Sequence, residues 1–198
     1  ENSTSVLNYY SKTTKIRAIH SSETKKSVSK SKKTTGTSET IRALSLKPHF
    51  LIHMTHASKS DLHYAAKKTR GIIICPRANS SLAEGIPDIE LMQKSGCMLA
   101  LGTDNVMINS PDMFREMDFL WKVTMGLHKK RIDPKEILKM ATVNGGKILR
   151  KNIGVIGHGK IADCIFLDKH ALDLEPMHDP HASIVHRASE SAVKAVMV

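Results

Sequence analysis

The chain has 198 residues, 40% hydrophobic and 25% charged, with 30 Lys and Arg against 19 Asp and Glu for a formal net charge of +11. That is enough chain for one domain with a sizeable core, and its apolar runs, Gly71 to Cys75 and Cys97 to Leu101, stop far short of the ~18–20 residues a membrane helix needs. The polar stretch Glu1 to Ser5 reads as no secretory leader, and the widely spaced Cys75, Cys97 and Cys164 as neither a disulfide framework nor a thiolate metal site, which places the chain in a reducing cytoplasm.

In chain order, Ile16-Arg17-Ala18-Ile19-His20 reads as a short strand opening into Ser21-Ser22-Glu23. From Lys12 to Lys47 ten Lys or Arg stand against two acids, Glu23 and Glu39. Such a block can contact nucleic acid, but 4% aromatics leave little to stack on bases, so nucleic acid is not the expected partner. Ser21 to Thr40, biased toward Ser, Thr and Lys, reads as a mobile loop leading into a helix from Glu39 to Leu46. Phe50-Leu51-Ile52-His53 is the second strand, followed by Met54-Thr55-His56. Ser58 opens a helix through Leu62, Ala65 and Ala66 that Gly71 closes.

The third strand, Gly71 to Cys75, runs into Pro76-Arg77-Ala78-Asn79. Pro87 suits the first turn of a helix carrying Ile89, Leu91 and Met92 and ending at Gly96. The fourth strand, Cys97 to Leu101, leads into Gly102-Thr103-Asp104. Pro111 starts a longer helix with Met113, Phe114, Met117, Leu120 and Trp121; Asp133-Pro134 then cap another before Ile137, Leu138 and Met140. After Asn152 the glycines Gly154, Gly157 and Gly159 punctuate short runs. Strands over Ile161 to Asp168, Ala182 to His186 and Ala192 to Val198 give a small β appendage.

The strand ends at His20, His53, Cys75 and Asp104 lie 33, 22 and 29 residues apart, near the ~30-residue βα unit of a (β/α)8 barrel. Alternating strands and helices require a parallel sheet, and a doubly wound sheet shares that pattern. The polar residues favour the barrel, because all fall at C-terminal strand ends, where barrel active sites are built. Alternation puts Ile16, Ala18 and His20 on one face of their strand and Met98, Ala100, Gly102 and Asp104 on one face of theirs.

His20 and Glu23 form a His-x-x-Glu pair. On a continuing strand i and i+3 point to opposite faces, so both reach one site only if the chain turns at Ser21-Ser22. An imidazole is a natural zinc or iron ligand, and a neighbouring carboxylate can move protons to a leaving nitrogen. Asp104, ending an apolar strand, must be solvated, hydrogen-bonded or metal-bound, with a loop or helix cap as the plain alternative. His53 and His56 are close enough in sequence that either could be the working histidine.

Ile19-His20-Ser21-Ser22-Glu23-Thr24, Leu51-Ile52-His53-Met54-Thr55-His56 and Leu101-Gly102-Thr103-Asp104 resemble the amidohydrolase superfamily, in its cytosine, guanine and S-adenosylhomocysteine deaminase branch with chlorohydrolase relatives. Cys75-Pro76-Arg77-Ala78-Asn79 resembles that branch's Asn-Pro-x-Ser-Asn segment. Gly154-Val155-Ile156 and Gly159-Lys160-Ile161-Ala162-Asp163 resemble its entry into a small β-sandwich. The resemblance implies the C-terminal half of a (β/α)8 metal-dependent hydrolase barrel, strands five to eight, over residues 1–152, with part of a β-sandwich over 153–198. His20 and Asp104 would be metal ligands, Asp104 would also deprotonate the attacking water, Glu23 would deliver protons to the heterocycle nitrogen, His53 would orient the water, and Asn79 would contact substrate.

The implied activity is hydrolysis of C–N bonds, foremost deamination of a purine- or pyrimidine-like heterocycle. An amidase or ring-opening hydrolase, and a non-catalytic barrel relative, are the alternatives. The implied cofactor is one divalent metal ion, zinc or else iron, and the implied partners are a small-molecule substrate, an N-terminal half-barrel and further copies in a homo-oligomer. The family's His-x-His pair has no counterpart here. A catalytic zinc keeps three protein ligands and His20 with Asp104 make two, so the chain reads as part of a protein of about 400 residues, given ~250 for a barrel alone.

Overall fold

The computed structural model describes residues 8–10, 12–129 and 131–198. Four strands, β1 (Ala18–Ser21), β2 (Phe50–His53), β3 (Ile72–Ile74) and β4 (Leu99–Leu101), form a parallel sheet in sequence order. The register pairs His20 with Ile52, Leu51 with Ile72, and Ile74 with Leu101. Crossovers are helical: α1 (Lys25–Thr35) and α2 (Glu39–Ser45) follow β1, and α3 (Lys59–Lys68) follows β2. After β3 come α4 (Pro76–Ser81) and α5 (Ile89–Lys94), and after β4 come α6 (Met113–His128), α7 (Pro134–Ala141) and α8 (Val143–Leu149).

The strands are apolar on both faces because each face is covered differently. Leu51, Ile72, Ile74, Leu99 and Leu101 pack into the main core with Leu62 and Ala65 of α3, Ile89 and Met92 of α5, Leu120 of α6, and Ile137 and Met140 of α7. On the opposite face Phe50 and Ala100 meet Ile148 of α8, with Ile52 and Ile73 beside them. That face carries His20, and Ala18 and His20 are exposed on it. Gly102 is required there: a Cβ would stand 2.9 Å from Ile73 Cγ2 and 3.4 Å from Cys75 Sγ. The amide of Asn144 in α8 donates to Leu99 O at 2.8 Å, satisfying one backbone acceptor of the last strand.

Ser58 and Asp133 cap α3 and α7 as the sequence predicts, with Pro134 in the first turn of α7. Pro87 and Pro111 each sit one residue ahead of the true caps, Asp88 and Asp112, whose carboxylates accept from Leu91 N and Arg115 N. Helix α3 ends at a Thr69 cap, before Gly71.

Two expectations are corrected. The Ser21–Thr40 stretch is not a loop, because Thr24 caps α1 by accepting from Ser27 N and Gly36 closes it at φ 69°. It packs through hydroxyls rather than apolar side chains: Ser27 Oγ donates to Glu39 Oε2 at 2.6 Å, and Arg42 Nη1 donates to Ser31 Oγ at 3.3 Å. Residues 182–186 lie in a helix, α9 (Pro180–Arg187), not a strand. Asp179 caps it, Pro180 suits its first turn, and Val185 and Ile184 join the main core, with the His186 ring 4.1 Å from that of Trp121. The remaining strand expectations hold: β5 (Cys164–Leu167) and β6 (Val193–Met197) pair antiparallel. Among the described residues no helix is long and apolar enough to cross a membrane.

Candidate functional site

The C-terminal ends of the four strands bring His20, Glu23, His53, Cys75, Asn79 and Asp104 together. The turn required after His20 is present, with Ser22 buried in the left-handed region at φ 50° and its hydroxyl paired with Thr40 Oγ1 at 3.0 Å. Glu23 therefore returns to the side of the site, its Oε1 3.4 Å from His53 Nε2.

His53 sits in the wrong phase for this face: its neighbour at i−2, Leu51, points into the helix-covered core. The backbone corrects this by taking φ 70° at His53 and 58° at Met54, a left-handed turn that non-glycine residues seldom adopt. The redirected imidazole is 1% exposed, with Nε2 3.1 Å from His20 Nδ1 and Nδ1 3.0 Å from Asn79 Oδ1. Asn79 is itself buried in α4, and its Nδ2 donates to Thr55 Oγ1 at 2.9 Å.

This chain of contacts fixes the protons. The Asn79 oxygen can only accept, so His53 carries its hydrogen on Nδ1 and presents a bare Nε2. With that assignment His20 donates from Nδ1 to His53 Nε2 at 3.1 Å, which leaves the Nε2 of His20 on the side away from His53. Asp104 completes the cluster from beyond β4, at φ 57° with Oδ2 3.9 Å from His53 Nε2. Within the described residues two overlapping groups bring ligand atoms to within 4.8 Å of one another: His20 with Glu23 and His53, and His53 with Cys75 and Asp104. Imidazole nitrogens and carboxylates at that spacing suit a borderline divalent cation.

His56 stands outside this cluster. Its Nε2 donates to Glu84 O at 2.6 Å, tying two loops together. Asn79, expected to contact substrate, has its amide engaged with His53 and Thr55. The spacing of the cysteines marks no thiolate metal site, yet Cys75, which ends a strand run as His20 and His53 do, stands within this cluster. Burial pushes its thiol up to about 12, with the charges of Asp104, Glu116 and Glu23 adding to the effect.

No sequence pattern marks the pairing of Arg77 with Glu116 either. The buried Glu116 carboxylate reaches Arg77 N at 3.4 Å and pairs with Arg77 Nη1 at 3.6 Å, while Arg77 Nη1 donates to Ser110 O at 3.2 Å and so ties down the segment after Asp104. Their partners lie 33 and 39 residues apart, beyond any local pattern. Burial lifts the Glu116 carboxyl from 4.5 to about 7, outweighing the Arg77 N–H and guanidinium. The folded carboxyl then keeps a proton that the unfolded one releases, so this group lowers stability as pH rises from 4.5 to about 7 and adds no slope outside that window. In Glu116→Gln, the urea midpoint at about pH 7.5 should rise relative to that at about pH 5, compared with the same difference in the wild type. An unchanged gap contradicts this account of Glu116.

Residues 4–198 match the amidohydrolase family. The chain belongs to that family. A protein of Methanothermobacter thermautotrophicus named as an aminohydrolase is 38% identical over 179 residues, 90% of this chain and 44% of that one. The 5-methylthioadenosine/S-adenosylhomocysteine deaminase of Thermococcus sibiricus is 34% identical over 197 residues, 94% of this chain and 46% of that one. Among solved structures, an adenosine deaminase from Xanthomonas campestris with bound zinc superposes at a TM-score of 0.85 with 27% identity, over 91% of this chain and 43% of that one. This amidohydrolase chain thus spans less than half the length of the curated relatives it matches.

Proposed function

We propose that this amidohydrolase chain supplies the strand-five to strand-eight half of a (β/α)8 barrel, over residues 1–152, and part of a β-sandwich, over 153–198. We further propose that the strand-end cluster is the acid–base half of a metal-dependent deaminase acting on a purine- or pyrimidine-like heterocycle. The observation that carries the reading is the proton-locked row Asn79–His53–His20, with Glu23 and Asp104 converging on the same His53 Nε2. A structural histidine needs one partner for each nitrogen. Four polar groups crowded on one buried imidazole are arranged for chemistry.

His20, through its Nε2, and Asp104 would hold one divalent cation, zinc or iron, with further ligands from an N-terminal half-barrel. That cation supplies Lewis acidity, which makes water a nucleophile near neutral pH. His53 aims the attacking water when its Nε2 lone pair exchanges the His20 N–H for a hydrogen of that water. Asp104 takes the water's proton and a protonated Glu23 donates to the ring nitrogen beside the carbon under attack; Asp104 then hands its proton to the amino group, the C–N bond breaks, ammonia leaves, and Glu23 recovers a proton from the hydroxyl as the carbonyl forms. Asn79 acts by holding the His53 tautomer, in place of the expected substrate contact. The exposed His20 face is the side from which substrate and the other half of the barrel would approach.

The test is ammonia release by the protein at its natural length from a panel of amino-substituted purines and pyrimidines and their nucleosides, before and after chelation. Release that is lost with chelator and restored by zinc or iron is expected. Absence of release from every amino-heterocycle, with hydrolysis of amides or cyclic imides instead, would replace the deaminase by an amidase or ring-opening hydrolase.

A further inference from the structure

The second ligand group in the pocket contains a sulfur that the family resemblance does not use. We propose that His53, Cys75 and Asp104 form a thiolate-containing site for a soft or borderline divalent cation, cadmium or zinc, that binds independently of His20. One imidazole nitrogen, one sulfur and one carboxylate oxygen lie within 4.8 Å of one another. Tetrahedral zinc, at ~2.0–2.1 Å from nitrogen or oxygen and ~2.3 Å from sulfur, sets its donors about 3.3–3.8 Å apart. His53 Nε2 and Asp104 Oδ2 are already 3.9 Å apart, so small side-chain rotations close the set.

The surroundings favour such a cation. Cys75 is 3% exposed and His53 1%, which limits competition from water. Glu23, Asp104 and Glu116 surround the sulfur with negative charge that a dication offsets. A thiolate also selects soft metals over magnesium or calcium, which a carboxylate pair alone would not do. On binding, the sulfur–metal bond forms as the thiol proton leaves to solvent, and no electron is transferred. The other cysteines are placed differently: Cys97 Sγ donates to Leu62 O at 3.4 Å in the core, and Cys164 lies in β5.

The proposal shares His53 and Asp104 with the hydrolytic reading but not His20, and the experiment uses that difference. The protein at its natural length is titrated with cadmium chloride while the near-ultraviolet sulfur-to-cadmium charge-transfer band is followed. The band should saturate at about one equivalent, vanish in Cys75→Ser, and persist in Cys97→Ser, Cys164→Ser and His20→Ala. In Asp104→Asn the apparent Kd should rise at least about tenfold, or about 1.4 kcal/mol. Cadmium binding without a sulfur band, or a band that survives Cys75→Ser, overturns the proposal. If circular dichroism shows Cys75→Ser unfolded, cadmium-113 resonance in the Cys164→Ser protein decides: a thiolate-shifted signal supports the site, and a signal from nitrogen and oxygen ligands alone overturns it. An intact band with no ammonia release contradicts only the hydrolytic reading; ammonia release without the band contradicts only the thiolate site.

Discussion

Asp104→Asn, in the protein at its natural length, is expected to lower kcat by about 10³-fold, within the ~10²–10⁴ range of a lost acid–base group and with the lost metal ligand in addition. The substitution suits the question because it changes charge without changing shape. Asp104 sits at φ 57°, a left-handed conformation that Asn tolerates as well as Asp does. The residue lies beyond the end of β4, outside the packed core, so melting temperature should move little. Steady-state kinetics and a thermal melt on the same preparation check both halves. Turnover within a few-fold of wild type would remove Asp104 from the reaction.

Asn79→Leu is expected to fail differently. Leucine matches the amide in size but offers no acceptor, so His53 Nδ1 loses its partner in a site where the imidazole is 1% exposed. Leaving a buried donor unsatisfied costs about 1–3 kcal/mol. The same loss frees the imidazole to take either tautomer. Partners that orient a metal-site or catalytic histidine are worth ~10–100-fold in activity, and that loss should fall on kcat rather than KM, because the amide touches His53 and Thr55 rather than open pocket. Asn79→Asp, which keeps an acceptor, should recover part of the rate. Equal losses in both variants, or a change confined to KM, would return Asn79 to a substrate-contacting role.

Much of this architecture is written in short-range patterns. The four strands announce themselves because each is an apolar run bounded by turn formers, and buried parallel strands have no polar face to hide. Caps at Ser58 and Asp133 are equally local, one side chain meeting backbone N–H groups two or three residues on. The misread elements also have local causes. Helix α1 carries Thr24 and Gly36 at its two ends, yet its Ser- and Lys-rich composition hides that pattern, because it docks through hydroxyls. Residues 182–186 hold apolar side chains that suit a strand as well as a helix, and the Asp179-Pro180 cap decides between them.

The site was legible to the level of residue type and strand end. The turn at Ser22 follows from requiring His20 and Glu23 to meet, and the structure has it. What could not be read was backbone sign and long-range pairing. Nothing in Ile52-His53-Met54 signals that two successive residues turn left-handed and reverse the imidazole's face. Nothing local joins Asn79 to His53, or Glu116 to Arg77, across 26 and 39 residues. The spacing of Cys75 from the other cysteines carries no metal signal, because its neighbours in space are a histidine and a carboxylate.

The central claim is that His20 and Asp104 at these strand ends hold a catalytic cation. Metal content by inductively coupled plasma mass spectrometry, on the natural-length protein purified without added metal, tests it most directly. In the Cys75→Ser background, which removes the thiolate site, about one zinc or iron per chain is expected, falling to a small fraction when His20→Ala or Asp104→Asn is added, while Lys33→Ala on the exposed face of α1 keeps full occupancy. A Cys75→Ser protein with only trace metal, or one whose occupancy is indifferent to both substitutions, would contradict the account.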